Sequence, residues 1–190
     1  MITLAHISDI HLSPMPEVGF RDLLGKRLTG FLNWKLKRHG EMNTETLARL
    51  VAHMQDQQAD FTAVTGDLTN LALDSEVERA GRWLRELGGA DKTVVCPGNH
   101  DAYVPGAHDK ACRAWAPWMI GDGMRLGAHR ETFPYLRIRE NIAFIGISSA
   151  RATAPFVAAG FFEQGQASRV AAVQRAIRPI AVACRGSSAR

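Results

Sequence analysis

The chain has 190 residues, 46% of them hydrophobic and 22% charged, a make-up that excludes a disordered or fibrous protein and suits one globular domain with a sizeable core. Its net charge of +4 is too small to demand a nucleic-acid partner. Cys96, Cys112 and Cys184 are scattered without C-x-x-C spacing, which argues against a secreted disulfide framework and for a reducing compartment. The opening Met1-Ile2-Thr3-Leu4-Ala5-His6 lacks the basic then apolar pattern of a signal peptide. The longest nearly apolar run, Ala152 to Phe162, is far short of the ~20 residues that span a bilayer. A cytoplasmic location is the expectation.

Along the chain, Ile2 to Ser8 reads as a first strand. A basic segment follows, with Arg21, Lys26, Arg27, Lys35, Lys37 and Arg38 interleaved with Phe20, Phe31 and Trp34. It reads as an insertion over residues 21–39. One reading makes it a solvated amphipathic helix or loop that packs its aromatics on the core. The other makes it a flap over an active site, drawing in phosphate-bearing substrates or touching a membrane surface. The first is preferred, because charge runs commonly form solvated faces.

After Asn43-Thr44-Glu45, the spacing of Leu47, Leu50, Val51 and Met54 predicts an amphipathic helix. Phe61 to Thr65 is rich in β-branched residues and ends at Gly66, the pattern of a buried strand. Ser75-Glu76-Val77-Glu78 has the form of a capping box, with Ser75 and Glu78 as the paired residues. Val77, Ala80, Leu84 and Leu87 give that helix its buried stripe, and Gly88-Gly89 stops it. Thr93 to Cys96 predicts a third strand, Tyr135 to Arg139 a half-exposed one, and Ile142 to Ile147 a buried one. A last helix is expected from Gln164 to Arg178, ended by Pro179 and followed by the apolar run Ile180 to Cys184. Strands alternating with helices indicate an α/β domain, a mixed central sheet with helices on both faces whose first strands run parallel. Ligands bind such sheets beyond the carboxyl ends of the strands.

Each of the first three strands ends in polar residues suited to a metal. The first gives Ser8-Asp9-Ile10-His11, in which Asp9 and His11 are two apart and point the same way on an extended chain. The second gives Gly66-Asp67, a sharp turn and a carboxylate with two oxygens, enough to bridge two cations. The third gives Gly98-Asn99-His100-Asp101, an amide oxygen, an imidazole and a carboxylate in succession. Singly, each has a bland explanation as a cap or turn. Together they place D-x-H, G-D and G-N-H-D at one edge of one sheet.

The set DIH, TGDLTN and PGNHD resembles the calcineurin-like metallophosphoesterase superfamily, from Ile2 to about Ile177. The opening HISDIHL and the helix before VVCPGNHD are most similar to the bacterial branch that includes cyclic-nucleotide phosphodiesterases. The branch cleaving a lipid A precursor pyrophosphate typically has Arg where His100 stands. The resemblance implies half of a four-layer sandwich, and a site with two divalent ions of the Mn, Fe or Zn type. It implies that Asp9 and His11 ligate the first ion, that Asp67 bridges both, and that Asn99 ligates the second. It implies catalytic roles for His100, beside the substrate, and for Asp101, orienting the His100 ring. The substrate expected is a small phosphoester, with cyclic nucleotides among the candidates.

The family completes its site with three later histidines, and no histidine follows Ile147 here. His6, His39, His53, His108 and His129 read as structural or surface residues, lacking metal-ligand spacing. The expectation for residues 1–190 is therefore a single, incomplete phosphoesterase domain, whether a truncated product, a frame-shifted one or a genuinely short variant, binding one ion weakly. Two further readings stand beside the phosphoesterase: a catalytically dead fragment, and a nucleic-acid phosphodiesterase using the basic segment.

Overall fold

A computed structural model describes residues 2–38, 44–123, 130–140, 142–157, 159–177 and 182–184. His39, His129 and the helix stop at Pro179 lie outside them. The expected strands appear in order as β1 (Leu4–Ile7), β2 (Phe61–Val64), β3 (Thr93–Val95), β4 (Tyr135–Arg139) and β5 (Ile142–Gly146). A further strand, β6 (Val182–Cys184), forms within the apolar run that begins at Ile180. The helices are α1 (Lys26–Asn33, continued by a wider turn over Trp34–Arg38), α2 (Thr44–Asp56), α3 (Asp74–Leu87), α4 (Ala107–Ala114), α5 (Ala116–Met119) and α6 (Gln164–Ala176).

The first three strands form a parallel sheet in the order β1-β2-β3. The others form a second sheet, in which β4 and β5 are antiparallel and β5 and β6 parallel. The fold is thus mixed α/β, with a parallel sheet flanked by helices. Side chains alternate across that sheet. Ile7, Val64 and Val95 join a core with Val77, Ala80 and Leu84 of α3, Ala111 and Cys112 of α4, and Trp115. Phe61, Ala63 and Val94 turn the other way and meet Phe144 of the second sheet, the Phe61 and Phe144 rings packing edge to face at 5.3 Å.

Two local expectations are corrected. The capping box at Ser75 and Glu78 does not form: α3 begins at Asp74, and Glu76 reaches back instead. Its buried carboxylate accepts the amides of Asn70 (2.9 Å), Leu71 (3.0 Å) and Leu73 (3.0 Å). The loop before the helix has three inward N–H groups to satisfy, and a glutamate at that position has two oxygens to offer them. The second correction concerns the basic segment. Arg27 of α1 donates to the carbonyls of Leu71 and Ala72, completing the same loop's hydrogen bonding from the other side. Phe31 and Trp34 are partly buried as the bland reading expects, but Phe20 is almost fully exposed.

The half-exposed strand β4 buries Tyr135 and Arg137 and leaves Ile138 half-exposed. The polar groups dictate this: Arg137 donates to the carbonyls of Ala90, Thr93, Pro117 and Ile120, and the Tyr135 hydroxyl to that of Val95. A buried guanidinium needs such a set of acceptors, and here the turns around β3 and α5 provide it.

Candidate metal centre

Beyond Ile7 and Val64 the chain ends of β1 and β2 stay side by side. The Asp9 amide donates to the Gly66 carbonyl (3.1 Å), His11 to Asp67 (2.8 Å) and Leu12 to Leu68 (2.9 Å). Keeping this contact while turning outward forces left-handed backbone at Asp9 (φ 55), His11 (φ 44) and Asp67 (φ 54). Such conformations cost about 1–3 kcal/mol each outside glycine and concentrate at functional sites. Gly66 (φ 92) lies against Gly98, so that a Cβ on Gly66 would strike the Gly98 backbone, and one on Gly98 would strike the Asp67 carboxylate and amide. The turns after β2 and β3 are therefore in backbone contact, and Asp67 sits on Gly98.

This geometry brings together His11, Asp67 and His100, whose ligand atoms lie within 4.8 Å of one another. The imidazoles of His11 and His100 meet edge to face at 4.6 Å. His11 Nδ1 bonds the Thr69 carbonyl (2.9 Å), and His100 Nδ1 the Asn70 carbonyl (2.6 Å). A carbonyl only accepts, so in both rings Nδ1 carries the proton and Nε2 of the neutral form carries the lone pair. This is the arrangement that orients histidine ligands toward a cation. Asp67 Oδ1 accepts the His100 amide (2.7 Å), and both His11 and Asp67 are buried.

The other residues singled out in the sequence surround this group. Asp9 is exposed at the rim, and partly buried Asn99 lies on the turn between Gly98 and His100. Asp9 is not in the three-residue group. Asp101 is fully buried and lies beneath the turns. Its Oδ2 accepts the amides of Asp67 (2.8 Å) and Gly98 (2.9 Å), and Oδ1 the amide of Thr69 (3.0 Å), with the Thr69 hydroxyl also at 3.0 Å. The orienting contact on the His100 ring is thus the Asn70 carbonyl, and Asp101 binds backbone. Burial and then the Asp67 charge push the Asp101 pKa up to about 7, against the pull of the donors from Gly98 and Thr69.

His6 bonds Thr65 Oγ1 through Nε2 (2.7 Å), and His108 bonds Ser148 Oγ (3.1 Å) and lies against Cys112 Sγ (3.6 Å). His53 is exposed on α2. Three contributors were not singled out from the sequence. Thr69 and Asn70 act through their carbonyls, and Tyr103 stacks on His100 at 5.4 Å and 19°. The buried Asn70 side-chain amide, on the residue whose carbonyl orients His100, has no hydrogen-bond partner. The TGDLTN run marks where these carbonyls fall, but no residue type announces a carbonyl's role.

Nitrogen and oxygen donors converging at the carboxyl edge of a parallel sheet, with their outer hydrogen bonds already made, define a centre suited to a divalent cation. The family model for calcineurin-like phosphoesterases matches residues 2–166, and the chain belongs to that family. Its class is therefore that of the phosphoesterase hydrolases, with a group in place that could hold a metal. A search of curated proteins finds no significant match.

Proposed function

We propose that the chain hydrolyses phosphate esters, phosphodiesters foremost, using divalent ions of the Mn, Fe or Zn type. What carries this reading is the convergence of His11, Asp67 and His100, the first two as ligands and His100 beside them as proton donor, with both imidazoles already held by carbonyl acceptors. The donor set fits such ions: nitrogen and oxygen without thiolate, largely buried, with both imidazoles held by carbonyl acceptors. In this reading Asp9, His11 and Asp67 would hold the first ion, and Asp67 and Asn99 are what the described residues would offer a second. The first has three protein ligands and the second two, so the first ion binds more tightly. Bound there, such ions neutralise phosphate charge and make water a nucleophile near neutral pH.

The chain's own groups divide the remaining work. Asp67 is held in place by the His100 amide and Gly98, so its carboxylate is aimed before anything binds. His100 keeps its Nδ1 proton on the Asn70 carbonyl, so the proton it can pass to a leaving oxygen is the one on Nε2 of the imidazolium. Tyr103 covers one face of that ring and restricts its rotation. Asp101 serves this chemistry by tying the turn after β2 to the turn after β3. Cyclic nucleotides are the natural phosphodiester class to test, and a cytoplasmic setting fits the buried thiols Cys96 and Cys112.

The test is hydrolysis of an aryl phosphodiester in the presence of Mn²⁺ by the wild-type chain and by His100→Ala. Metal-dependent turnover is expected from the wild type, falling about 10²–10⁴-fold in the variant, the usual worth of a proton-donating side chain. Metal content should be nearly intact. Loss of metal together with turnover would make His100 a ligand, and absence of Mn²⁺-dependent hydrolysis by the wild type would remove the reading.

A further inference from the structure

The orientation of α1 is the reverse of what its composition leads one to expect. Its cations Lys26 and Arg27 point toward the protein. Arg27 donates to the Leu71 and Ala72 carbonyls, while Lys26 donates to Thr153 Oγ1 (2.9 Å) and lies over the Tyr103 ring at 4.4 Å. Phe31 and Trp34 follow Arg27 at helical spacing on the partly buried side. The outward side carries Leu24, Leu28, Leu32 and Leu36, at strict four-residue spacing and preceded by Phe20. Phe20 is 95% exposed, Leu36 83% and Leu24 75%, with Leu28 and Leu32 about half exposed. A row of this length, turned to water while the cations turn inward, is not accounted for by the stability of the fold.

The neighbouring segment repeats the pattern. Phe156, Val157, Phe161 and Phe162 are all exposed, Phe156 at 91%. The Lys26–Thr153 hydrogen bond ties this segment to α1. The charges on these two stretches are mainly positive. Arg21 and Lys35 are exposed beside the leucine row, and Arg151 lies over the Phe161 ring at 5.2 Å. Between Phe20 and Leu36 the one carboxylate is Asp22, and its Oδ2 accepts the Gly19 amide (3.0 Å). Glu163 closes the second stretch. Leucine and phenylalanine at the tip with arginine and lysine at the flanks match the two layers of a lipid interface: apolar groups enter the acyl boundary and cations meet anionic headgroups.

We infer that the outward face of α1, together with Phe156, Val157, Phe161 and Phe162, docks the protein on an anionic lipid bilayer surface. Through Arg27, Lys26 and Tyr103, this face is joined to the loop that carries the His100-orienting carbonyl, so docking sets the metal centre close to the membrane plane. The inference is independent of which ester the centre cleaves.

Co-sedimentation of the full chain with phosphatidylcholine vesicles, with and without phosphatidylglycerol, tests it. Pelleting is expected with the anionic vesicles, weakening as salt is raised, and little with phosphatidylcholine alone. The Leu24→Ser/Leu36→Ser double variant, at the two most exposed leucines, should lower partitioning about tenfold or more, and Arg21→Glu/Lys35→Glu should abolish the anionic preference. Both should keep the wild-type circular dichroism and thermal midpoint, since all four side chains face solvent. Equal binding to both vesicle types would overturn the inference, as would undiminished pelleting of the leucine variant. So would a lipid-free wild-type dimer that dissociates in the leucine variant with no vesicle binding, because the face would then be a contact between copies of the chain.

Discussion

Asp101→Ala is expected to destabilise the protein by about 3–5 kcal/mol, because the amides of Asp67, Gly98 and Thr69 lose their common acceptor at a site closed to water. Each buried donor left unpaired costs about 1–3 kcal/mol. For a chain of this size the loss corresponds to a drop of roughly 10 °C in the thermal midpoint, at about 2–4 °C per kcal/mol. Asp101→Asn should cost less, since its oxygen in the Oδ2 place still accepts from both Asp67 and Gly98 while its NH₂ faces the Thr69 hydroxyl, leaving the Thr69 amide alone without its acceptor. Thermal unfolding followed by circular dichroism gives the ranking. An alanine variant melting within a degree or two of the wild type would show that the turns do not depend on this carboxylate.

Gly98→Ala is expected to spare most of the core and disable the metal centre. The added Cβ falls on the Asp67 carboxylate and amide. The amide cannot withdraw, because Asp67 N is held by Asp101 and its carbonyl by His11. Moving the turn after β3 instead would carry His100 with it and break its amide bond to Asp67. Overpacking of this kind costs about 1–3 kcal/mol in stability. Displacing a ligand from its supporting contacts typically costs about 10–100-fold in metal affinity. Mn²⁺ titration alongside thermal unfolding separates the two effects. Wild-type affinity in this variant would mean that Asp67 does not act from its place on Gly98.

How much of this was legible in the sequence differs by kind of interaction. The six residues at the strand ends, Asp9, His11, Asp67, Asn99, His100 and Asp101, announced themselves because a parallel sheet brings the ends of successive strands to one edge. The structure gathers three of them. The hydrogen bonds that aim them were not legible, since Thr69 and Asn70 act through carbonyl groups that every residue possesses. Ser75 and Glu78 matched a capping pattern, yet Glu76 took the role, because the need came from the amides of Asn70, Leu71 and Leu73, outside the helix. Composition could not orient α1 either. A row of lysines and arginines is normally a solvated face, but the carbonyls of Leu71 and Ala72 drew Arg27 inward and turned the leucines out. Arg137 shows the same effect in a strand, where four carbonyls outweigh the preference of an arginine for water.

The central claim, that Asp67 and its neighbours form a divalent-metal centre, is tested most directly by Mn²⁺ calorimetry on the wild-type chain, Asp67→Ala and Asn99→Ala. The wild type should bind one ion more tightly than any second. Asp67→Ala should abolish that binding, because the carboxylate belongs to both proposed sites, whereas Asn99→Ala should leave the tighter ion in place. Wild-type Mn²⁺ binding that survives loss of Asp67 unchanged, or that falls equally in both variants, would contradict it.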